Sequence, residues 1–425
     1  MKLTVIGSGP GGYETAVEAA RRGLEVTLVT EGPLGGTCLN EGCIPTKSLI
    51  HNCCSQASGL ARAQAKKRDV VETLQGGIAQ LLRSVNVVRG RARFVDPHTV
   101  EVGGVRYEAD KTIVATGSVG AVLPIPGAEL CIGSSQALEL EDAPARLVII
   151  GGGVIGLEFA GIFRSLGSQV TVLEYCNGIL PRFDIDLAKR LKQQLVRQGI
   201  SIVTGAAVTS AEKTGECLRV NYELKGEACS VECNCALMVV GRRPALDSLN
   251  FADVGVEFDR RGVKVDDRMR TTAPDIYAVG DVTGGLMLAH VATYQGLRAL
   301  NDITGVQDSI DFGVVPAVVF TSPEVATVGL TEENCKDAGI AYRAVKSNYR
   351  SNGKALASDC ADGYCKLLVG EDDRILGCHI LGEGADALIH EATVLITSGV
   401  TLDKARWIIH AHPTLSEVLQ TAIHS

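Results

Sequence analysis

No apolar run in the 425 residues is long enough to cross a bilayer as a helix, because Gly, Glu or Arg interrupts each one. Positive charge is not in excess: 41 Lys and Arg stand against 49 Asp and Glu, a net charge of −8. That balance weighs against nucleic acid and anionic membrane as partners. Low-complexity segments and long linkers are missing as well. Nor is there room for a leader. Met1-Lys2-Leu3-Thr4-Val5-Ile6-Gly7 enters a strand pattern at once, which makes the cytoplasm the expected location. What remains is a globular chain, 46% apolar, with too many residues for one ordinary core, so roughly two to four domains are expected. Cysteine, by contrast, is abundant, at 14 residues. Without a secretory signal most of these are expected to be reduced, buried and apolar in behaviour.

One pattern occurs twice. Leu3-Thr4-Val5-Ile6 runs into Gly7-x-Gly9-x-x-Gly12, and Leu147-Val148-Ile149-Ile150 runs into Gly151-x-Gly153-x-x-Gly156. Each glycine turn precedes a helix-compatible stretch, Tyr13 to Arg22 and Leu157 to Leu166, and then a second apolar run, Glu25 to Val29 and Gln169 to Leu173. This is a βαβ unit built twice. One glycine makes the tight turn, one lets the backbone approach a pyrophosphate, and one admits close helix–strand packing. The helix N-terminus then offers N–H groups and the positive end of its dipole to the phosphates. A lone motif of this kind is weak; two in one chain, each in strand–turn–helix context, point to two dinucleotide sites rather than two structural turns.

The second copy ends in Glu174, placed to bond a ribose 2′-hydroxyl and to repel a 2′-phosphate, so NAD is preferred to NADP there. In the first copy Thr30 stands at that offset and Glu31 follows, and Glu31 is expected to take the role. Further along, Lys111 to Gly117 and Asp275 to Asp281 each read as a buried strand ending in a tight turn. After about residue 312 the pattern becomes mixed strand and helix, at Ala317 to Thr321, Lys366 to Val369, Leu376 to Leu381 and Ala385 to Thr397. That is the pattern of a separate α+β domain.

Just beyond the first βαβ unit lies Gly35-Gly36-Thr37-Cys38-Leu39-Asn40-Glu41-Gly42-Cys43-Ile44-Pro45-Thr46-Lys47. A disulfide needs Cα atoms roughly 4.4–6.8 Å apart. Residues five apart on a regular helix rise about 7.5 Å and sit on different faces. Either Cys38 and Cys43 do not pair, or the backbone between them is distorted, with Gly42 and Pro45 as the means. A pair closing so short a loop adds little stability and is readily reduced, which suits a redox pair. Two buried thiols, or part of a metal site, are the other readings, although no partner lies at zinc-finger spacing. Spacing alone leaves these open. Cys229, Cys233 and Cys235 also cluster; Cys233 and Cys235 would share a face of one strand, where free thiols are expected over a soft-metal site. No metal is expected.

GGTCLNEGCIPTK after a glycine-loop unit, together with HAHPTLSE at His410 to Glu417, resembles the flavoprotein disulfide reductases, and within them the dihydrolipoamide dehydrogenase branch. The likeness runs nearly the whole chain, through ATG at Ala115 to Gly117, VIIGGGVIGLE at Val148 to Glu158, GRRP at Gly241 to Pro244, AVGDVTGGLMLAH at Ala278 to His290, and FTSPEVATVGLTE at Phe320 to Glu332. It implies an α/β fold of two Rossmann-like dinucleotide-binding domains plus a C-terminal α+β dimerisation domain. The expected domains are 1–139 for FAD, 140–242 for NAD, 243–311 completing the FAD domain, and 312–425 for dimerisation. It also implies that Gly7, Gly9, Gly12, Glu31, Thr37, Lys47, Ala92, Gly117, Asp281 and Ala289 belong to the FAD site. Gly151, Gly153, Gly156, Glu158, Glu174, Val208 and Gly241 would belong to the NAD site. Cys38 would exchange with substrate and Cys43 would face the flavin. His412 would be the base that ionises a thiol, whose ordinary pKa is about 8.5, and Glu417 would orient its ring. On the residues alone, His412 reads more often as a capping or surface histidine and Glu417 as a solvated helix residue; the spacing around Pro413-Thr414 favours the dyad.

The implied activity is oxidation of protein-bound dihydrolipoamide with reduction of NAD, by a homodimer serving the lipoyl domains of 2-oxoacid dehydrogenase or glycine cleavage complexes. The alternatives are reduction of another disulfide or of a metal ion, or a role mainly as a complex subunit. Glu174 speaks against the NADP-using glutathione type, and the absence of a cysteine pair after Cys378 speaks against the mercuric type. Three features depart from the family: Thr30 in place of an acid, a short stretch from Lys47 to Gly76 carrying the vicinal Cys53-Cys54, and a C-terminus that stops soon after Glu417.

Overall fold

The computed structural model describes residues 1–53 and 59–425, so Cys54 of the Cys53-Cys54 pair falls outside the described residues. The chain divides into two compact units. The first comprises Met1–Leu123, Gly133–Asp142 and Val240–Ile310; the second comprises Pro124–Ile132, Ala143–Val239 and Asp311–Ser425.

The first unit is built on a five-stranded parallel sheet in the order Ile276–Ala278, Lys111–Val114, Lys2–Ile6, Glu25–Thr30, Asn86–Arg89. Its strands are near-continuous apolar runs because both faces are covered. Leu3, Val5, Leu28 and Ile113 meet the helices Pro10–Arg21 and Ala289–Thr304 on one face. Ile6, Val29, Val114 and Ile276 meet Phe94, Val100 and Val102 of a three-stranded antiparallel sheet on the other. The two helices approach closely because Gly296 has no side chain; a Cβ there would lie 1.9 Å from Thr15 Oγ1.

The second unit repeats the parallel arrangement with Ser201–Thr204, Gln169–Glu174, Arg146–Ile150 and Cys235–Met238. After residue 311 comes a five-stranded antiparallel sheet in the order Ala317–Val319, Val325–Gly329, Ile375–Leu381, Tyr364–Gly370, Tyr342–Asn348. The helices Ala385–Thr397 and Glu417–His424 bury Ile389, Leu395, Leu419 and Ile423 against Cys365, Leu367, Cys378 and Ile380 of this sheet. The fold is therefore α/β, two Rossmann-like domains with a C-terminal α+β domain. Among the described residues no helix is long and apolar enough to cross a membrane.

Two expectations need correction. The helices after the glycine turns begin at Pro10 and Val154, not Tyr13 and Leu157. The third glycine of each motif thus sits inside the first helical turn, and Pro10 at the first helical position forfeits only an N–H that has no partner there. Cys233 and Cys235 do not share a strand: Cys233 ends Glu227–Cys233, Cys235 opens Cys235–Met238, and the Asn234 N–H between them is bound to the Arg146 carbonyl at 2.9 Å.

Within the second unit one buried cation joins three elements. Lys366, 0% exposed in the antiparallel sheet, places its Nζ 2.6 Å from Asp184 and 2.7 Å from Glu332. Asp184 is itself fully buried and caps the helix Ile185–Arg197 by accepting the Leu187 N–H at 3.2 Å. Removing the cation would leave a buried carboxylate without its counter-charge. Lys366→Met is expected to destabilise the protein by about 3–5 kcal/mol, read as a lowered thermal midpoint. An unchanged midpoint would show that the triad contributes nothing.

Candidate functional site

The two glycine loops are near copies. Gly7 and Gly151 take left-handed φ values of +111° and +117°, so each turn admits little but glycine. Their backbones are bound to the neighbouring strand in the same register, Gly7 N–H to Val29 O at 2.8 Å and Gly151 N–H to Leu173 O at 2.9 Å. Gly12 and Gly156 press on the preceding turn: a Cβ would lie 1.8 Å from Gly7 O in one and 2.0 Å from Gly151 O in the other. The middle glycines, Gly9 and Gly153, have nothing within 4 Å of a Cβ. Each also N-caps its helix without a side-chain cap. Open space before uncapped helix N–H groups fits a dinucleotide pyrophosphate at both loops.

At the strand ends the copies diverge. Glu174 closes its strand, 7% exposed, and its carboxylate accepts the Gly152 N–H at 2.6 Å and the Cys176 N–H at 2.7 Å. The loop register pairs Val29 with Leu173, so Thr30 occupies the place of Glu174 and Glu31 that of Tyr175. Glu31 is exposed beyond the end of its strand, as Tyr175 is at 76%. Thr30 is buried and bonded to Ser8.

The cysteine segment is seated on the first loop. The Gly35 N–H donates to Ser8 O at 2.9 Å, and a Cβ on Gly36 would lie 2.6 Å from the Gly9 Cα. From this contact a short helix, Gly36–Asn40, carries Cys38 and breaks at Glu41, whose φ of −138° is not helical. A new helix starts at Cys43 and runs to Cys53. The backbone distortion that pairing demands is this break at Glu41-Gly42. Gly42 serves it, since a Cβ would press Thr37 O at 3.0 Å. Pro45 does not, because it falls in the first turn of the new helix, where it is tolerated. Cys38 and Cys43 are hydrogen-bonded thiols. Sharing a proton with Cys43, and burial, push the Cys38 thiol well above its usual pKa, while the Lys47 ammonium opposes the rise. The pair therefore ionises as a unit, one sulfur holding the other's proton.

The remaining positions fall as follows. Ala92 opens an edge strand and Ala289 opens a helix; Gly117 turns with φ +75°; Thr37 is exposed and accepts the Glu41 N–H at 2.8 Å. Asp281 lies in a short turn, Gly280–Thr283, where Ser118 Oγ donates to it and Arg242 stands at 3.9 Å. Arg242 Nε also donates to Ser118 Oγ at 2.7 Å. Ser118 carried no signal in the sequence, and Arg242 only its membership of GRRP. In the second unit Val208 lies in the strand Ala206–Thr214 beside a bulge. Glu158 is buried in its helix and accepts the Phe320 N–H at 3.0 Å. Gly241 belongs to the first unit, where its carbonyl accepts the Ala121 N–H at 2.9 Å.

Near the C-terminus His412, followed by a cis peptide to Pro413, is 77% exposed. Its Nδ1 is 2.9 Å from Glu417 Oε1, and the other Glu417 oxygen accepts the Thr414 N–H at 2.9 Å. These two bonds, the Thr414 N–H first, hold the Glu417 carboxyl below its usual pKa. A carboxylate fixed at both oxygens orients the ring and leaves Nε2 for proton transfer. His410 is occupied otherwise, its Nε2 2.7 Å from Glu391. Among the described residues no group of three or more His, Cys, Asp or Glu could hold a metal ion.

The sequence matches the pyridine nucleotide-disulphide oxidoreductase family over residues 1–296 and the dimerisation domain of that name over residues 315–423. The dihydrolipoyl dehydrogenase of Staphylococcus aureus is 40% identical over 443 residues, covering 98% of this chain and 95% of the relative. That of Geobacillus stearothermophilus is 39% identical over 446 residues, covering 98% and 94%. Among solved structures, the HOCl-induced flavoprotein disulfide reductase RclA of Escherichia coli aligns with a TM-score of 0.93 at 31% identity, over 100% of this chain and 99% of that one. A Cu(II) complex of RclA aligns with a TM-score of 0.92 at 32% identity, over 99% and 98%.

The proton sharing has a direct consequence. Cys43→Ala removes the largest cause of the raised Cys38 pKa, so the pH midpoint for alkylation of Cys38 is expected to fall by at least ~1 unit, followed by peptide-resolved mass spectrometry on the reduced protein. A midpoint that stays or rises would show that Cys38 is not the sulfur that keeps the shared proton.

Proposed function

The chain belongs to the pyridine nucleotide-disulphide oxidoreductase family, an oxidoreductase using FAD and NAD, and we propose that it acts as a dihydrolipoyl dehydrogenase. The observation that carries this reading is the Cys38–Cys43 thiol pair seated on the first dinucleotide loop. The 40% identity to dihydrolipoyl dehydrogenases over nearly the whole chain supports the choice of substrate.

In the oxidised state the two cysteines form a disulfide. One thiolate of the dihydrolipoyl group attacks Cys38 Sγ, forming a mixed disulfide and releasing Cys43 as thiolate. The second substrate thiolate then closes the lipoyl ring and releases Cys38. Two electrons have passed from substrate to the cysteine pair. His412 takes one substrate proton at Nε2, with Glu417 holding the ring at Nδ1, and releases it to a leaving cysteine sulfur or to water before it takes the second. Bound FAD would supply the two-electron chemistry that links the cysteine pair to NAD. The first glycine loop, Lys47 and Asp281 would hold FAD; the second loop and Glu174 would hold NAD, the carboxylate accepting hydrogen bonds from its ribose hydroxyls.

The C-terminal domain is a dimerisation domain by family, and in this reading the His412 of one subunit serves as base to the cysteine pair of the other. The exposure of His412 supports this division. The work is placed in the cytoplasm, on the lipoyl domains of 2-oxoacid dehydrogenase or glycine cleavage complexes. A second reading, reduction of another disulfide or of a metal ion, draws on RclA, solved as a Cu(II) complex.

Turnover separates the readings. Dihydrolipoamide with NAD is expected to be the productive pair, and glutathione disulfide with NADPH or Cu(II) with NADH the poor ones; the reverse ranking would overturn the assignment. His412→Gln is expected to lower kcat with dihydrolipoamide by about 10²–10⁴-fold while leaving the flavin spectrum intact. Glu174→Ala is expected to raise KM for NAD by roughly tenfold and to narrow its advantage over NADP, with KM for dihydrolipoamide unmoved.

A further inference from the structure

The first dinucleotide loop lacks the carboxylate that the second one uses. Its register assigns the strand-end position to Thr30, and its second loop position is Ser8 where the other copy has Gly152. Where Glu174 accepts the Gly152 N–H at 2.6 Å, the Ser8 and Thr30 hydroxyls lie 2.7 Å apart. Thr30 is 3% exposed and Ser8 4%, so the pair is enclosed much as Glu174 is at 7%. The one acid nearby, Glu31, is displaced by one residue to the exposed side.

Proton counting gives the pair a defined character. Each hydroxyl has one proton and two lone pairs. Thr30 Oγ1 has the Gly32 carbonyl at 2.9 Å, and Ser8 Oγ has the Pro33 carbonyl at 3.3 Å. If Ser8 donates to Thr30, Thr30 donates to Gly32 O; if Thr30 donates to Ser8, Ser8 donates to Pro33 O. In both cases the protons are spent inward and only lone pairs are left. The pair is then an acceptor, as a carboxylate is, but a neutral one.

We infer that the Ser8–Thr30 hydroxyl pair, and not Glu31, accepts the adenosine ribose hydroxyls of FAD in the first site. The inference rests on the reading that this loop holds FAD. In either arrangement the second proton goes to the carbonyl of Gly32 or of Pro33, on the loop that leads into Gly35-Gly36 and the cysteine helix. Ribose recognition and the seating of the redox segment are thus one hydrogen-bonded unit. A neutral acceptor bonds hydroxyl donors more weakly than a charged one, so this site holds its ribose less firmly than a strand-end acid would.

The test uses the full chain stripped of FAD, with ADP, 2′-deoxy-ADP and 3′-deoxy-ADP competing against FAD and flavin fluorescence as the readout. Competition against FAD confines the reading to the first site. In the unaltered protein at least one deoxy analogue is expected to bind about fivefold or more weakly than ADP. Thr30→Val and Ser8→Ala are each expected to erase that discrimination, whereas Glu31→Gln keeps it and leaves FAD affinity within about twofold. Ser8→Gly with Thr30→Glu, which copies the second site, is expected to tighten FAD by about fivefold or more. A merely structural hydroxyl pair would weaken ADP and its deoxy analogues alike and keep their ratio, which overturns the inference. So does discrimination lost in Glu31→Gln instead. ADP that does not compete with FAD at all would instead remove the dinucleotide reading of this loop.

Discussion

The redox site depends on one close approach of backbone to backbone. The Gly35-Gly36 turn lies on the Ser8-Gly9 turn, with the Gly35 N–H bound to Ser8 O and no room for a Cβ on Gly36. Both glycines have positive φ, +92° and +58°, so the contact asks for glycine twice, for conformation and for space. The short helix that carries Cys38 springs from this contact. A dinucleotide whose pyrophosphate lies before Gly9 is therefore tied, through a few covalent bonds and one hydrogen bond, to the position of the sulfurs. Loops are usually the adaptable part of a fold; this one is fixed to the scaffold at the point where the chemistry needs precision. The break at Glu41-Gly42 then folds the chain back so that two residues too far apart on one helix share a proton.

The two dinucleotide units show how one scaffold carries two chemistries. The parts common to both, the left-handed first glycine and the third glycine packed on its carbonyl, are those that sterics dictate. The part that differs is the strand-end acceptor, which sterics leave open and to which the proposed function gives the ribose. In the second unit a charged acceptor also excludes a 2′-phosphate, useful where NAD must be chosen over NADP and must come and go. A cofactor that stays bound meets no such choice, and a neutral hydroxyl pair can replace the acid there without loss of selectivity.

Much of this was legible in the sequence because it is local. The repeated strand, glycine turn and helix follow from apolar runs and glycine spacing, and the need for a distorted backbone between Cys38 and Cys43 follows from helix geometry alone. What was not legible is of two kinds. Boundaries moved where a residue type admits two structures: Gly12 and Gly156 fit a turn or a helix, and only the carbonyls of Gly7 and Gly151 beneath them decide for the helix. Long-range partners were invisible because no spacing encodes them. Ser118 reaches Asp281 across more than a hundred residues, as Lys366 reaches Asp184, and Arg242 bonds Ser118 across a similar span. Glu31 was chosen as the ribose acid because it is an acid near the right place. The sequence offset and the hydrogen-bonded register both put Thr30 at the strand end; what no spacing encodes is its burial against Ser8.

The C-terminal dyad makes a last point about completeness. Glu417 is bound at both oxygens and its carboxyl held ionised, yet the imidazole it orients is 77% exposed. Water around a general base dilutes its advantage, since every proton it could take from a thiol it can also exchange with solvent. Beside it Trp407 is 81% and Ile409 95% exposed. Covering each of these side chains is worth roughly 1.5–3 kcal/mol, so this stretch gains from being covered. In a dimerisation domain the two facts have one explanation. Under the proposed function, an association that covered Trp407 and Ile409 would also dry His412, which is continuous with them in sequence. A dyad rigid in a single chain but wet until its neighbour arrives would then couple proton transfer to assembly.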